Sequence, residues 1–309
     1  MSDWAASARH AVVVGAGAVG ALFAHALAGD GVQVTMLDRT AHPSGPFPVI
    51  ECDATSLTVR AIAHLDRADI VVMSLPEKVS IAAVSIIASA VRPDALIVDT
   101  SSVKTGFADE ARRLPPGSAE IVGVNPMFAP SLGFQGRPVA VVSIRPGPRG
   151  TGFTDRLRSW GSQVVELTAQ EHDALTAQTQ ALTHLSVLAY ALTLARAGTS
   201  VGDLVESAPP PCRSLLALAA RILGGSPEVY WDIQIQNPGA DELRQGLADS
   251  LAELSKIIAN DDFSAFADLR AELIGYLEPE LDTLSDDCAQ MFTAQMSSAQ
   301  PVPGVADPH

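Results

Sequence analysis

Short apolar runs alternate with longer helical stretches through the first half of the chain. Ala11–Val14, Gln33–Leu37, Ile70–Ser74, Ala95–Asp99, Glu120–Val124 and Val139–Ser143 are apolar almost throughout. Strands buried on both faces of a parallel sheet read this way, whereas half-exposed strands alternate. Gly20–Ala28 and Val79–Val91 carry helical patterns between them. The order predicts an α/β fold with a doubly wound parallel sheet, to which Gln163–Leu167 adds a last strand.

The pattern changes at Thr168. Thr168 and Glu171 stand three apart as a capping box ahead of an Ala/Leu-rich stretch that ends near Gly198. One helix of about 30 residues, ~45 Å long, is predicted there. Such a helix suits a core shared by two subunits. Helical patterns recur over Cys212–Leu223, Ala240–Ile258 and Phe263–Leu277. The predicted organisation is an α/β domain over 1–167, an all-α domain over 168–285 and a disordered tail over 286–309, where Pro301, Pro303 and Pro308 fall.

Composition narrows the partners. The chain has 309 residues and a net charge of −15, which argues against a nucleic-acid partner. An anionic ligand needs local cations or helix N-termini. Cys52, Cys212 and Cys288 are far apart and form no CxxC pair, so neither a disulfide framework nor a metal site is expected. The first ten residues lack a basic leader, and glycines interrupt the apolar run that follows. A cytoplasmic protein with no membrane span is expected.

The most informative local signal is Val14-Gly15-Ala16-Gly17-Ala18-Val19-Gly20, a GxGxxG directly after a strand and opening a helix. In that context the glycines allow a tight turn, close approach to a pyrophosphate and helix–strand packing. This makes the α/β half a Rossmann domain. Gly15, Gly17, Ala18, Val19 and Gly20 are the cofactor-binding candidates of the loop, with Ser74 at the end of a later strand. Asp38 closes the next strand, 18 residues beyond Gly20. Its carboxylate would accept hydrogen bonds from ribose hydroxyls and repel a 2′-phosphate, which favours NAD over NADP. Arg39, adjacent, is the feature that leaves NADP open.

Two later segments sit where ligands bind in such sheets: Asp99-Thr100-Ser101-Ser102-Val103-Lys104, and Gly123-Val124-Asn125-Pro126-Met127-Phe128-Ala129-Pro130. Glu171-His172-Asp173, Gln180-Ala181-Leu182-Thr183-His184 and Pro211-Cys212-Arg213 follow in order. Together these pieces resemble the prephenate/arogenate dehydrogenase family over about residues 10–240. The resemblance implies NAD(P), a helical dimerisation domain and hence a homodimer. It also implies oxidative decarboxylation of an anionic cyclohexadiene to an aromatic ring. A regulatory ACT domain is not expected. The β-hydroxyacid dehydrogenases, which share the Rossmann start, need a lysine on the long interdomain helix; no lysine lies between Lys104 and Lys256.

One position departs from the family. Where its members carry a histidine that takes the proton from the C4 hydroxyl, this sequence has Asn125, and a carboxamide is no general base near neutral pH. Either another base such as His184 acts or activity is lost, or the substrate needs no base. An amine at C4 meets the second condition, because its neutral lone pair can expel hydride unaided. That reading points to 4-amino-4-deoxyprephenate as substrate and 4-aminophenylpyruvate as product. Prephenate or arogenate turnover is the alternative, and a non-catalytic NAD-binding dimer is another.

The remaining roles come from the resemblance together with side-chain chemistry. Arg213 would hold a substrate carboxylate through its guanidinium fork, or else is a surface charge. Ser102 would bond the C4 substituent or nicotinamide region, or else is a turn serine. Lys104 would supply positive potential near the carboxylates, or else is a surface lysine. Gln180 and His184, four apart, share a helix face that would line the cleft, or else His184 is a satisfied core histidine; Met127 joins the substrate-binding set. His172 reads as a structural residue near a helix start. The arginine that family members place beside the helix histidine is replaced by Thr183.

Overall fold

The computed structural model describes residues 8–40 and 45–297. Its centre is an eight-stranded sheet in the order β3-β2-β1-β4-β5-β6-β7-β8. The strands are β1 (His10–Val14), β2 (Gln33–Asp38), β3 (Val49–Glu51), β4 (Ile70–Met73), β5 (Leu96–Asp99), β6 (Glu120–Pro126), β7 (Pro138–Arg145) and β8 (Gln163–Leu167). The first six run parallel. β7 is antiparallel to β6, and β8 is parallel to β7. The expectation of a parallel sheet therefore holds for six strands and is corrected for the last two. Residues 127–137 between β6 and β7 contain no α-helix, and a parallel crossover needs a longer connection.

Consecutive strand residues point to opposite faces, and each face has its own apolar layer. Val12, Val14, Val71, Met73 and Ile97 belong to one. Val13, Val72, Val98, Val124 and Phe23 belong to the other. Among the described residues five α-helices connect the strands: α1 (Ala18–Gly29), α2 (Val59–Leu65), α3 (Glu77–Ala90), α4 (Thr105–Arg112) and α5 (Pro148–Ser159). The chain winds from β1 outward to β3, then returns to β4 on the other side of β1. The carboxyl ends of β1 and β4 thus flank the switch point, where open α/β sheets bind ligands.

The capping box forms as read. Thr168 Oγ1 accepts from the Glu171 backbone N–H at 3.2 Å, and Glu171 Oε2 accepts from the Thr168 N–H at 2.8 Å. The predicted single long helix is resolved into α6 (Ala169–Thr176), a π-helical stretch Ala177–Leu182 and α7 (Thr183–Ala197). Helices α8 (Val201–Ser207), α9 (Pro210–Leu223), α10 (Pro227–Gln236), α11 (Ala240–Ala259), α12 (Phe263–Leu277) and α13 (Leu281–Ser297) follow.

The described residues form two compact units. One comprises those up to Leu182 together with Ser226–Asp241; the other comprises Thr183–Gly225 and those from Glu242 onward. By their packing, α6, the π stretch and α10 group with the sheet. Asn237 shows why. Its Nδ2 donates to the Asp173 carbonyl at 2.8 Å and to Thr176 Oγ1 at 3.1 Å, tying the end of α10 to α6. Within the helical unit the Tyr190 hydroxyl donates to Cys212 Sγ at 3.1 Å, linking α7 to α9. The expected disordered tail is corrected over 286–297, which lie in α13; its remainder, 298–309, lies outside the described residues.

Candidate active site

The glycine loop is shaped by exclusion. Gly15 has φ +102°, and a Cβ there would lie 2.1 Å from the Ser74 carbonyl oxygen. A Cβ on Gly20 would lie 2.0 Å from the Gly15 carbonyl oxygen. Gly17, at the N-cap of α1, faces open space instead. Backbone N–H groups at the start of α1, which holds Ala18 and Val19, are thus open to an approaching anion.

Asp38 borders the same loop. Its Oδ2 accepts from the Ala16 N–H at 2.7 Å, and its Oδ1 accepts from the Thr40 N–H at 3.0 Å and hydroxyl at 3.1 Å. Burial pushes its pKa up, but these donors outweigh burial and hold the carboxyl below its usual range. A fixed carboxylate at the end of β2 suits the ribose hydroxyls of a dinucleotide. Arg39 next to it is exposed. Ser74 sits after β4, half-buried, with its Oγ accepting from the Thr100 hydroxyl at 3.0 Å.

A second cluster lies beyond β5 and β6. Asn125 is the penultimate residue of β6, opposite Ala140 of β7, and is 3% exposed. The expected loop therefore begins later, since Gly123–Pro126 belong to the strand. Asn125 Nδ2 lies 3.0 Å from His172 Nε2. His172 Nδ1 lies 2.8 Å from Asp173 Oδ1. The Asp173 carboxylate also accepts from the backbone N–H groups of Lys104 and Thr105, each at 2.8 Å. One chain of contacts thus joins α6, the start of α4 and the end of β6.

Charges there follow the same logic. Burial lowers the pKa of His172; its bond to Asp173 opposes this without reversing it, so the ring is held below its ordinary value. Burial raises Asp173, but its bonds from His172, Thr105 and Lys104 prevail and keep it ionised. Glu77, in the first turn of α3 and 5% exposed, is pushed up to about 8 by burial and by the neighbouring charges of Asp173, Asp99 and Asp232.

The alternative of a surface lysine at Lys104 is corrected. The side chain is fully buried, with Nζ donating to Asp99 Oδ2 at 2.6 Å, to the Val124 carbonyl at 3.2 Å and to the Asp99 carbonyl at 3.3 Å. It is not a surface charge. Ser101 is likewise used internally, its hydroxyl 2.7 Å from Asp99 Oδ2 and from the Val103 carbonyl. Ser102 is half-buried in the loop between β5 and α4.

Met127 and Gln180 meet the cluster through sulfur. Met127 Sδ is 3.6 Å from Asn125 Nδ2 and 3.7 Å from Gln180 Nε2. Gln180 lies in the π-helical stretch, a local form frequent at functional sites. Its Oε1 is buried and has no donor among the described residues. His184 and Arg213 belong to the helical unit. His184 is half-buried in α7, its pKa lowered by burial and then by Arg221. Arg213 is exposed in the first turn of α9. Sequence reasoning missed the contact of His172 with Asn125, and Glu77 altogether. The adjacent histidine and aspartate ahead of an alanine-rich helix were the available signal for the first.

The family model described as "Prephenate dehydrogenase, nucleotide-binding domain" matches residues 23–140, and "Prephenate dehydrogenase, dimerization domain" matches residues 168–272. The chain is 47% identical over 287 residues to a 4-amino-4-deoxyprephenate dehydrogenase of Streptomyces pristinaespiralis, covering 93% of this chain and 97% of that one. Its fold resembles a prephenate dehydrogenase from Aquifex aeolicus crystallised with hydroxyphenyl propionate and NAD+ (TM-score 0.68, 18% identity, 87% and 98% of the two chains). It also resembles Synechocystis arogenate dehydrogenase (TM-score 0.64, 19% identity, 89% and 99%). The chain belongs to the prephenate dehydrogenase family.

Proposed function

We propose that the chain catalyses the NAD-dependent oxidative decarboxylation of 4-amino-4-deoxyprephenate to 4-aminophenylpyruvate. The observation that carries this reading is Asn125. The side chain at the family's base position is an amide, and the imidazole beside it, His172, is fully buried and engaged on both ring nitrogens. A hydroxyl at C4 needs its proton taken as hydride leaves, or a very unstable protonated carbonyl forms. An amine needs no such help, because the nitrogen lone pair forms a C=N bond as the C4–H pair departs. The C1–carboxylate bond then breaks, its electrons complete the aromatic ring, and carbon dioxide leaves. The relative that is 47% identical carries this activity in its name.

NAD, when bound, supplies the hydride acceptor. Gly15, Gly17, Ala18, Val19 and Gly20 would hold its pyrophosphate, Asp38 its ribose, and Ser74 would line the same crevice, with Arg39 at its outer edge. Ser102 and the Asn125 oxygen serve the C4 substituent. Gln180 and Met127 would join them on the sheet unit; Arg213 and His184 are assigned to the substrate by the family resemblance alone, Arg213 as a carboxylate ligand. Lys104 contributes by holding the loop before α4 and the end of β6 in place.

The chain works as a homodimer, for which the dimerization-domain match over 168–272 and exposed apolar side chains such as Phe263 (79%) and Tyr276 (80%) are the support. Free thiols at Cys52, Cys212 and Cys288 suit the reducing cytoplasm. Among the described residues no helix is long and apolar enough to cross a membrane. The test is NADH formation with the amino compound against prephenate and arogenate. Preference for either hydroxyl substrate would refute the proposed substrate.

A further inference from the structure

The contacts around His172 determine which way round the Asn125 amide sits. Asp173 accepts two backbone N–H bonds and is held ionised. A carboxylate only accepts, so the ring proton of His172 lies on Nδ1, 2.8 Å away. Nε2 is then a bare lone pair. The group 3.0 Å from it must donate, and only the nitrogen end of the amide can. The Asn125 nitrogen is therefore committed to His172, with Met127 Sδ as a weak second acceptor at 3.6 Å. No donor among the described residues reaches the amide oxygen.

We propose that His172 is a positioning residue that orients the Asn125 amide so that its oxygen, and not its nitrogen, meets the C4 amine of the substrate. This rests on the amino-substrate reading. The orientation matters because positive charge develops on the substrate nitrogen as hydride leaves. An amide oxygen accepting one of its N–H bonds stabilises that charge. The reversed amide would donate to the lone pair that must form the C=N bond, and would place the positive end of its dipole beside the growing charge.

Protonation of His172 would reverse the amide, since an imidazolium donates from both nitrogens. The groups facing the ring are Asp173 on its own helix, Lys104 before α4 and Asp99 on β5; Glu77 of α3 faces Asp173 in turn. The neutral ring at working pH is thus part of the device.

The test compares wild type, His172→Leu, His172→Gln and His172→Asn with 4-amino-4-deoxyprephenate, unlabelled and deuterated at C4. Glutamine can offer an oxygen near the place of Nε2, whereas asparagine is too short. The leucine and asparagine variants should lose kcat by on the order of 10²-fold, with KM and NAD affinity changed only a few-fold and a larger primary isotope effect on kcat. The glutamine variant should recover most of that loss. Wild type should also show an acid limb in kcat that His172→Gln lacks, while a limb common to both belongs to the substrate amine. If leucine does not fold, the Gln/Asn pair carries the comparison. Wild-type kcat in the asparagine or leucine variant would overturn the proposal. So would parallel loss of NAD affinity with an unchanged isotope effect. A wild type that ignores the amino compound fails the parent reading instead.

Discussion

The Lys104 ammonium lies 2.6 Å from the Asp99 carboxylate, and neither side chain is exposed to solvent. The same ammonium reaches the Val124 carbonyl, one residue before Asn125. A buried ion pair thus fastens the end of β6, which carries the amide, to the loop that carries Ser102. Removing one partner would leave the other charge buried and alone. Lys104→Met should lower unfolding stability by about 3–5 kcal/mol, measured by denaturant unfolding. Unchanged stability would contradict the pairing.

Glu77 makes stability depend on pH in a defined sense. Its folded value of about 8 lies above the ordinary 4.5, so between these values the folded protein keeps a proton that the unfolded chain releases. Its contribution is whole below about pH 4.5. It is lost as pH rises toward about 8, at about 1.4 kcal/mol per pH unit. Glu77→Gln has no proton to lose. The variant should gain thermal stability relative to wild type across that window and hold a constant advantage above it. Parallel melting curves at pH 5 and pH 8 would contradict the assignment.

Asp38 should set cofactor choice. Its carboxylate is fixed by Ala16 and Thr40 beside the glycine loop. Asp38→Ser removes both the ribose acceptor and the repulsion of a 2′-phosphate. The Kd for NAD should rise about tenfold or more, the cost of one charged hydrogen bond, and NADP should bind better than to wild type. Fluorescence titration with each dinucleotide checks both.

Much of this arrangement was legible in the chain itself. The apolar runs marked six strands because burial on both faces leaves no polar alternation, whereas Gln163–Leu167, read as a seventh, is a largely exposed edge; the glycine loop was readable because a strand and a helix flank it. β3 was not, since Val49–Glu51 is only three residues long and follows prolines. The reversal of β7 was available in the short helix-free connection before it. Lys104 could not be distinguished from a surface lysine, because its five-residue spacing from Asp99 does not reveal that the loop folds inward. The pairing of Asn125 with His172 spans 47 residues, and local patterning carries no information over that distance. The replacement at 125 was nonetheless readable through its chemistry, since an amide cannot do a base's work.

On the proposed function, an amide suffices at residue 125 because the substrate brings its own electron donor. The most direct measurement is kcat/KM of the purified protein with NAD for 4-amino-4-deoxyprephenate, prephenate and arogenate, with products identified by mass. Efficient conversion of the amino compound to 4-aminophenylpyruvate, with little turnover of the other two, is the expected result. Efficient turnover of prephenate or arogenate with neglect of the amino compound would contradict it, and would require a base elsewhere in the site.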